Sequence, residues 1–465
     1  MQSRPGRPGI GAVSRVVTLA VILSAAGGAA WAAEAAAGAE KAGIAPGAAA
    51  VWTQWRGPDR DGHVAGAPWA QSLDGLVKEW RVPLGKGFPG PIVARDRVFV
   101  VGSEADGGVS VRALRRSDGE EVWRREWRAP ASVPFFARSH GAWVRSTPAY
   151  DGETLFVGDM LEVLVALDGK TGDERWRIDF PSEFSVDPPS FGFASSPLVT
   201  DRHLYVQAAN ALVKVEKTTG QILWRTADSG NTMTSGGAFS SPIIARLHGV
   251  EQIVVFTRDA LMGVDTGSGR VLWRQAVPNF RGMNIVTPVV HENGIFVSQH
   301  RNGSYYYKTV REGEAGRFRV EPVWRNKGSG YMSSPIVIEG FAYLHLGNGR
   351  FTCIDLASGE ERWRTKPLGD YWSLLWQGSR ILALAEDGTL RLIQANPDRF
   401  ELIDEREVAA ATTWGHLAMA GDQLFVRELE ALSVFRFPAP VPVEGPVVAR
   451  GRGDPGPSPA RLSRR

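Results

Sequence analysis

Four long stretches of this 465-residue chain gather aromatic, basic and imidazole side chains at short spacing. They are Phe135-Phe-Ala-Arg-Ser-His-Gly141, Asp187-Pro-Pro-Ser-Phe-Gly192, Asn231-Thr-Met-Thr-Ser235 and Arg281-Gly-Met-Asn284. Shorter ones follow at Tyr331, Tyr371-Trp372 and Trp414-Gly-His416. The candidate ligand-contacting residues are Phe136, Arg138, His140, Arg145, Phe191, Met233, Asn284, Tyr331, Trp372, Trp414 and His416. Flat rings beside guanidinium and imidazole groups suit stacking and hydrogen bonding. They do not suit metal chemistry, because Asp187 and Asp228 are the main carboxylates in these stretches. The 8 histidines lack metal-ligand spacing such as His-x-His or His-Glu-x-x-His. Asp59-Arg-Asp-Gly62 carries a fragment of a calcium-loop pattern but lacks the third acid and the terminal Glu, so it reads as a turn. No Gly-rich phosphate loop, Ser nucleophile elbow or kinase-like signature is present. No metal and no catalytic residue is therefore assigned.

These stretches are loops between copies of a repeat. Trp-Arg recurs at Trp80, Trp123, Trp176, Trp224, Trp273, Trp324 and Trp363. Five of these tryptophans follow a glycine by four residues: Gly119, Gly172, Gly220, Gly269 and Gly359. Small-residue–proline pairs open the copies at Pro91, Pro148, Pro197, Pro242, Pro288 and Pro335, which lie 57, 49, 45, 46 and 47 residues apart. That period fits a four-stranded propeller blade of about 40–50 residues. Each copy holds short runs of Val, Ile, Phe and Leu punctuated by Gly and Asp, which read as strands. Two further copies, Trp372–Val408 and Trp414–Phe437, keep the strand rhythm without the Pro and Trp signals. The last has three strands, and Lys78–Val82 is an orphan fourth strand ahead of the first copy. The sequence therefore predicts an all-β, eight-bladed propeller of four-stranded antiparallel blades, closed by its N-terminal strand. Seven blades is the alternative if one degenerate copy is not a blade. Closure leaves only short, protected strand edges. The seven tryptophans are expected to cover the seams between blades, each ring burying about 150–250 Å².

With these motifs the chain resembles the PQQ-type, quinoprotein-like β-propellers, whose blades carry Gly-x-x-x-Trp in the outer strand. Within that group it is similar to the BamB-like propeller-repeat proteins of bacterial envelopes. Trp55-Arg-Gly-Pro-Asp-Arg-Asp-Gly62 resembles the start of many secreted members. The resemblance covers roughly residues 52–437. It implies a binding or scaffold protein, and alternatively a PQQ- or metal-dependent oxidoreductase. Such enzymes hold PQQ between a Trp and a vicinal disulfide, beside a Ca²⁺ on acidic and amide side chains. With Cys353 as the only cysteine, the vicinal pair is missing, and neither PQQ nor Ca²⁺ is predicted as a cofactor.

The organisation expected is a signal peptide over 1–32, an N-terminal extension over 33–75, the propeller over 76–437 and a disordered Pro- and Arg-rich tail over 438–465. Arg4, Arg7 and Arg15 precede an apolar run too short to span a bilayer, and Ala30-Trp31-Ala32 fits a cleavage site. No cysteine near the cut offers lipid attachment, unlike lipidated BamB proteins, so a soluble periplasmic or secreted product is expected. Of the formal charge of +3, the leader carries three arginines, and the tail adds five arginines against Glu444 and Asp454. The propeller is thus net acidic, which argues against a nucleic-acid face. The expected partner is an envelope protein, a peptide or a glycan. It would bind the funnel built from the loops joining the outer strand of one copy to the inner strand of the next. The competing expectation is that these loops pack together and seal the channel.

Overall fold

Each blade begins at the ring axis with a short strand A and steps outward through B and C to D. In a computed structural model, residues 51–66, 69, 72–313 and 316–438 are described. The predicted signal segment and the tail beyond Pro438 lie outside these residues. There are eight four-stranded antiparallel sheets among them. The first comprises Ile92–Val93, Arg97–Ser103, Gly108–Arg115 and Glu121–Arg128. The last joins Ala418–Ala420, Gln423–Glu428 and Ala431–Arg436 to the N-terminal Val77–Pro83. The ring is therefore eight-bladed, and the seven-blade alternative falls. Closure pairs Trp80 with Val434, Arg81 with Ser433 and Val82 with Leu432. Arg81 also grips the buried Glu428 at 2.8 Å, whose other oxygen accepts from the Ser433 hydroxyl at 2.7 Å.

Strands B and C are apolar and buried, as in Thr154–Gly158. The D strands alternate, as in Glu121–Arg128, where Trp123 turns inward between exposed neighbours. The ladder to D shifts register once in all eight blades, seven times just before the Trp position or its equivalent and once between Lys78 and Trp80. A bulge there sharpens the twist and re-aims the side chain. Trp123 Nε1 then donates to the Gly169 carbonyl of the next blade at 3.2 Å. Gly172 completes that contact: its φ is +76°, and a Cβ there would meet the Trp123 ring at 2.7 Å. Trp80, Trp176, Trp224, Trp324 and Trp363 likewise donate to a carbonyl of the following blade.

Trp273 is the exception. Its Nε1 donates to Gln252 Oε1 of its own blade at 2.7 Å. The reason lies in the fifth blade, whose C and D strands lengthen to Gly303–Glu312 and Arg317–Asn326. The tight glycine turn that receives Trp80, Trp123, Trp176, Trp224 and Trp324 is replaced there by a long hairpin.

The part of the predicted extension that is described is built into the ring. Trp52 exchanges both backbone hydrogen bonds with Val93, at 2.8 Å each. Thr53 accepts from Tyr150 N–H, and Gly62 and Val64 pair with Trp376. The segment 52–64 thus crosses the axis from the first blade to the seventh. Arg56 and Arg60 are fully buried on the way. Arg56 Nη2 donates to the Pro335 carbonyl at 2.5 Å, and Arg60 Nη1 to that of Pro197 at 2.6 Å. Asp61 Oδ1 accepts from His63 N–H at 2.8 Å, a local turn bond.

Candidate functional site

A cavity of about 690 Å³ opens on the face carrying the D-to-A and B-to-C loops. Every D-to-A connection supplies it with an aromatic ring: Phe88, Phe136, Phe191, Phe239, Phe280, Tyr331, Tyr371 and Trp414. The rings touch around much of the circumference. Centroids lie 6.2 Å apart for Phe136–Phe191 and 5.5 Å for Phe191–Phe239. On the other side they are 5.6 Å for Tyr331–Tyr371, 4.8 Å for Tyr371–Trp414 and 5.0 Å for Trp414–Phe88. His300 bridges Phe280 to Tyr331 at 5.8 and 4.3 Å. The result is an aromatic collar held on a rigid ring.

Guanidinium groups are set into the collar. Arg145 lies over Phe88 at 5.5 Å, Arg258 over Phe239 at 4.3 Å and Arg281 over Phe280 at 5.3 Å. Arg258 also pins two loops, donating to the carbonyls of Gly282, Gly236 and Met233. Burial without a carboxylate partner lowers its pKa to about 10. Among the described residues, no Asp or Glu lines the cavity.

The floor is made by Trp55, His416 and hydroxyl residues of the inner strands. The rings of Trp55 and His416 meet edge-on at 4.8 Å. Trp55 Nε1 donates to Thr287 Oγ1 at 3.0 Å, and His416 Nδ1 donates to the Leu417 carbonyl at 2.8 Å. Desolvation, and then the charge of Arg56, push His416 down to about 3, so it is neutral at physiological pH.

Of the candidates named from sequence, Phe136, His140, Arg145, Phe191, Met233, Tyr331, Trp372, Trp414 and His416 line this cavity. Two do not. Asn284 is wholly buried, its Nδ2 donating to the Thr257 carbonyl at 3.0 Å, because its loop folds back beneath the rim. Arg138 is exposed on the 3-10 turn Phe135–His140 and does not line the cavity. Trp372 is almost fully enclosed, stacked on His345 at 4.9 Å. Sequence reasoning missed Trp55, Phe88 and Arg258. Trp55 could have been found from its motif, read only as a likeness. In the sequence, the small residue before each proline marks only where a strand starts, as it does in the structure. Thr147, Ser196, Ser241 and Ser334 each also accept a backbone N–H from the preceding blade, at 2.9–3.0 Å.

A calcium-bound quinone does not fit these residues. Such a site needs carboxylate oxygens for the cation, and the lining offers hydroxyls, rings and cations. No cluster of three or more His, Cys, Asp or Glu with metal-binding geometry occurs among the described residues.

The family model for outer membrane protein assembly factor BamB matches residues 107–365. BamB of Yersinia pestis is 23% identical over 275 residues, 53% of this chain and 64% of that protein, so the chain spans just under two thirds of its relative. A tetrathionate hydrolase of Acidithiobacillus ferrooxidans is 23% identical over 272 residues, covering 54% of this chain and 48% of the enzyme. The crystal structure of BamB from Moraxella catarrhalis superposes with a TM-score of 0.56 at 15% identity, covering 78% of this chain and 98% of that one. With eight PQQ-type blades and more than half its length matched by one family model, the chain belongs to the BamB family of propeller-repeat proteins.

Proposed function

We propose that this protein is an exported, non-catalytic scaffold of the bacterial cell envelope that captures a polypeptide, peptide or glycan in its aromatic funnel. The observation that carries this reading is the collar. Each blade junction presents one ring to a single cavity, on a disc whose closing strand and axial segment keep it rigid. Loops on a rigid scaffold are where binding residues concentrate, and a cavity of about 300–1,000 Å³ suits a small ligand or the end of a chain. The curated relatives named as outer membrane protein assembly factors support an envelope role. We read residues 1–32 as the export signal. An oxidoreductase is not adopted, because the lining lacks the donors its cofactor pair needs.

The test is complementation. A deletion strain should lose outer membrane β-barrel proteins, and the wild-type gene should restore them. The triple variant Phe136→Ala, Tyr371→Ala, Trp414→Ala should fold and fail to restore them. Full restoration by that folded variant would overturn the funnel reading.

A further inference from the structure

Five hydroxyls ring the cavity floor: Ser196, Ser241, Thr287, Ser334 and Ser373. Each oxygen already accepts one N–H. Ser196 takes it from Thr147, Ser241 from Ser196, Ser334 from Thr287 and Ser373 from Leu417, at 2.9–3.0 Å. Thr287 takes it from the Trp55 indole at 3.0 Å. A hydroxyl also has one proton to give, and none of these five donates to a protein group among the described residues. Accepting an N–H polarises a hydroxyl and strengthens it as a donor. The floor therefore offers up to five strengthened donors to whatever enters.

Behind this floor lie two buried cations, and only Arg56 has an acid, Asp61, near enough to favour its charge. Arg56 and Arg60 are 1% and 2% exposed, and among the described residues neither has a carboxylate oxygen within ion-pair distance. Arg56 Nε and Nη1 and Arg60 Nε have no hydrogen-bond partner. Arg56 sits near enough to His416, in the floor itself, to disfavour its protonation. Burying a charge is costly unless a partner is supplied. In the wall, Arg145 Nε is also buried without a partner.

Resting on the funnel reading above, we propose that the floor is an anion-binding site. It takes the carboxylate or phosphate group of a ligand whose flat apolar body lies against the collar. The hydroxyls of Ser196, Ser241, Ser334 and Ser373 donate to the anion directly, with no bridging metal. Arg56 and Arg60 supply the positive potential from behind, and Arg145 supplies it from the wall.

Three probes of one shape test this: 2-naphthoate, 2-naphthyl phosphate and the neutral 2-naphthalenemethanol, titrated against the full-length protein by calorimetry. The proposal expects one or both anions to bind at least tenfold tighter than the alcohol at low salt. The preference should shrink several-fold at 0.5 M NaCl. Which anion wins distinguishes a carboxylate source from a phosphate one. The double variant Ser241→Ala, Ser334→Ala should lose the preference while still binding the alcohol. Should that variant misfold, Arg145→Gln should halve the preference or more on its own. Equal affinity for all three probes would overturn the anion site and leave the funnel reading intact. No binding of any probe, with the collar still needed for complementation, would also sink the anion site but not the scaffold. Anion-selective binding in a protein whose collar variant complements fully would uphold the site and sink the scaffold.

Discussion

The two faces of the disc are built from the same eight blades and differ in almost everything else. On the turn face, acids close the glycine hairpins on themselves. Asp168 Oδ1 accepts from Lys170 and Thr171 N–H, and its other oxygen holds Arg175 at 2.7 Å. Those bonds hold its pKa down to about 2. On the funnel face the connections are long and irregular, and among the described residues the charged groups lining the cavity are arginines and not acids. Glu162, on a B-to-C loop of that face, is buried with a single N–H donor, from Ala209 at 2.9 Å. Desolvation pushes it up to about 7. The contrast teaches where each kind of information sits. The repeated motif satisfies itself on one side, and the departures from the motif are spent on the other.

The strongest attempt to break this contrast is Trp123→Ala against Trp414→Ala. Removing a seam ring should cost ~3–5 kcal/mol in urea denaturation. Trp414 belongs to the collar and is partly exposed, so its loss should cost about 1 kcal/mol. Equal costs would mean that the collar is core rather than a binding surface.

Next is Glu162→Gln. The folded state holds a proton on Glu162 between pH 4.5 and about 7 that the unfolded chain releases. Stability from this group therefore falls as pH rises through that window. The substitution should gain ~2–3 kcal/mol at pH 8 and nothing at pH 4. A variant with an unchanged pH profile would show that water reaches the carboxyl.

A smaller effect separates two glycines of positive φ. Gly172→Ala meets the Trp123 ring, whereas Gly152, at φ +100°, has nothing within 4 Å of a Cβ. The first should cost ~2–3 kcal/mol and the second about 1. The smallest is Asp168→Asn. The depressed pKa of Asp168 contributes stability above the usual carboxylate range, lost as pH falls through about 2. The group is partly exposed and screened, so the variant should lose no more than ~1 kcal/mol at pH 7. Its pH slope should be opposite in sign to that of Glu162.

The ring was legible because its signals are local and repeated. Gly172 and Trp123 sit in separate copies, yet each copy carries both halves of the contact, so spacing alone implied the seam. Closure by Lys78–Val82 was legible for the same reason, as a surplus strand at one end and a missing one at the other. The funnel was legible only in outline. Asn284 and Arg138 have side chains fit for a ligand, but loop backbone decides where they point, and no periodicity governs loops. Trp273 kept its Trp-Arg signature and lost its partner because the next blade lengthened. Nothing in the sequence around Arg56 and Arg60, beyond the turn at Asp59–Gly62, signals that they are buried. Their burial depends on carbonyls far away in the chain, those of Ser196 and Pro197 for Arg60 and that of Pro335 for Arg56.

The pairing of Val77–Pro83 with Ala431–Arg436 sets the order of events during biogenesis. The first strand made must wait for the last one before either finds its neighbour. Until roughly 350 intervening residues have emerged, the two closing strands lack each other as partners, and a pairing of such sequence separation is of the kind that slows folding. A product truncated before its final strand would keep an unpaired strand border at each end of the ring, the kind of edge that invites association with other chains.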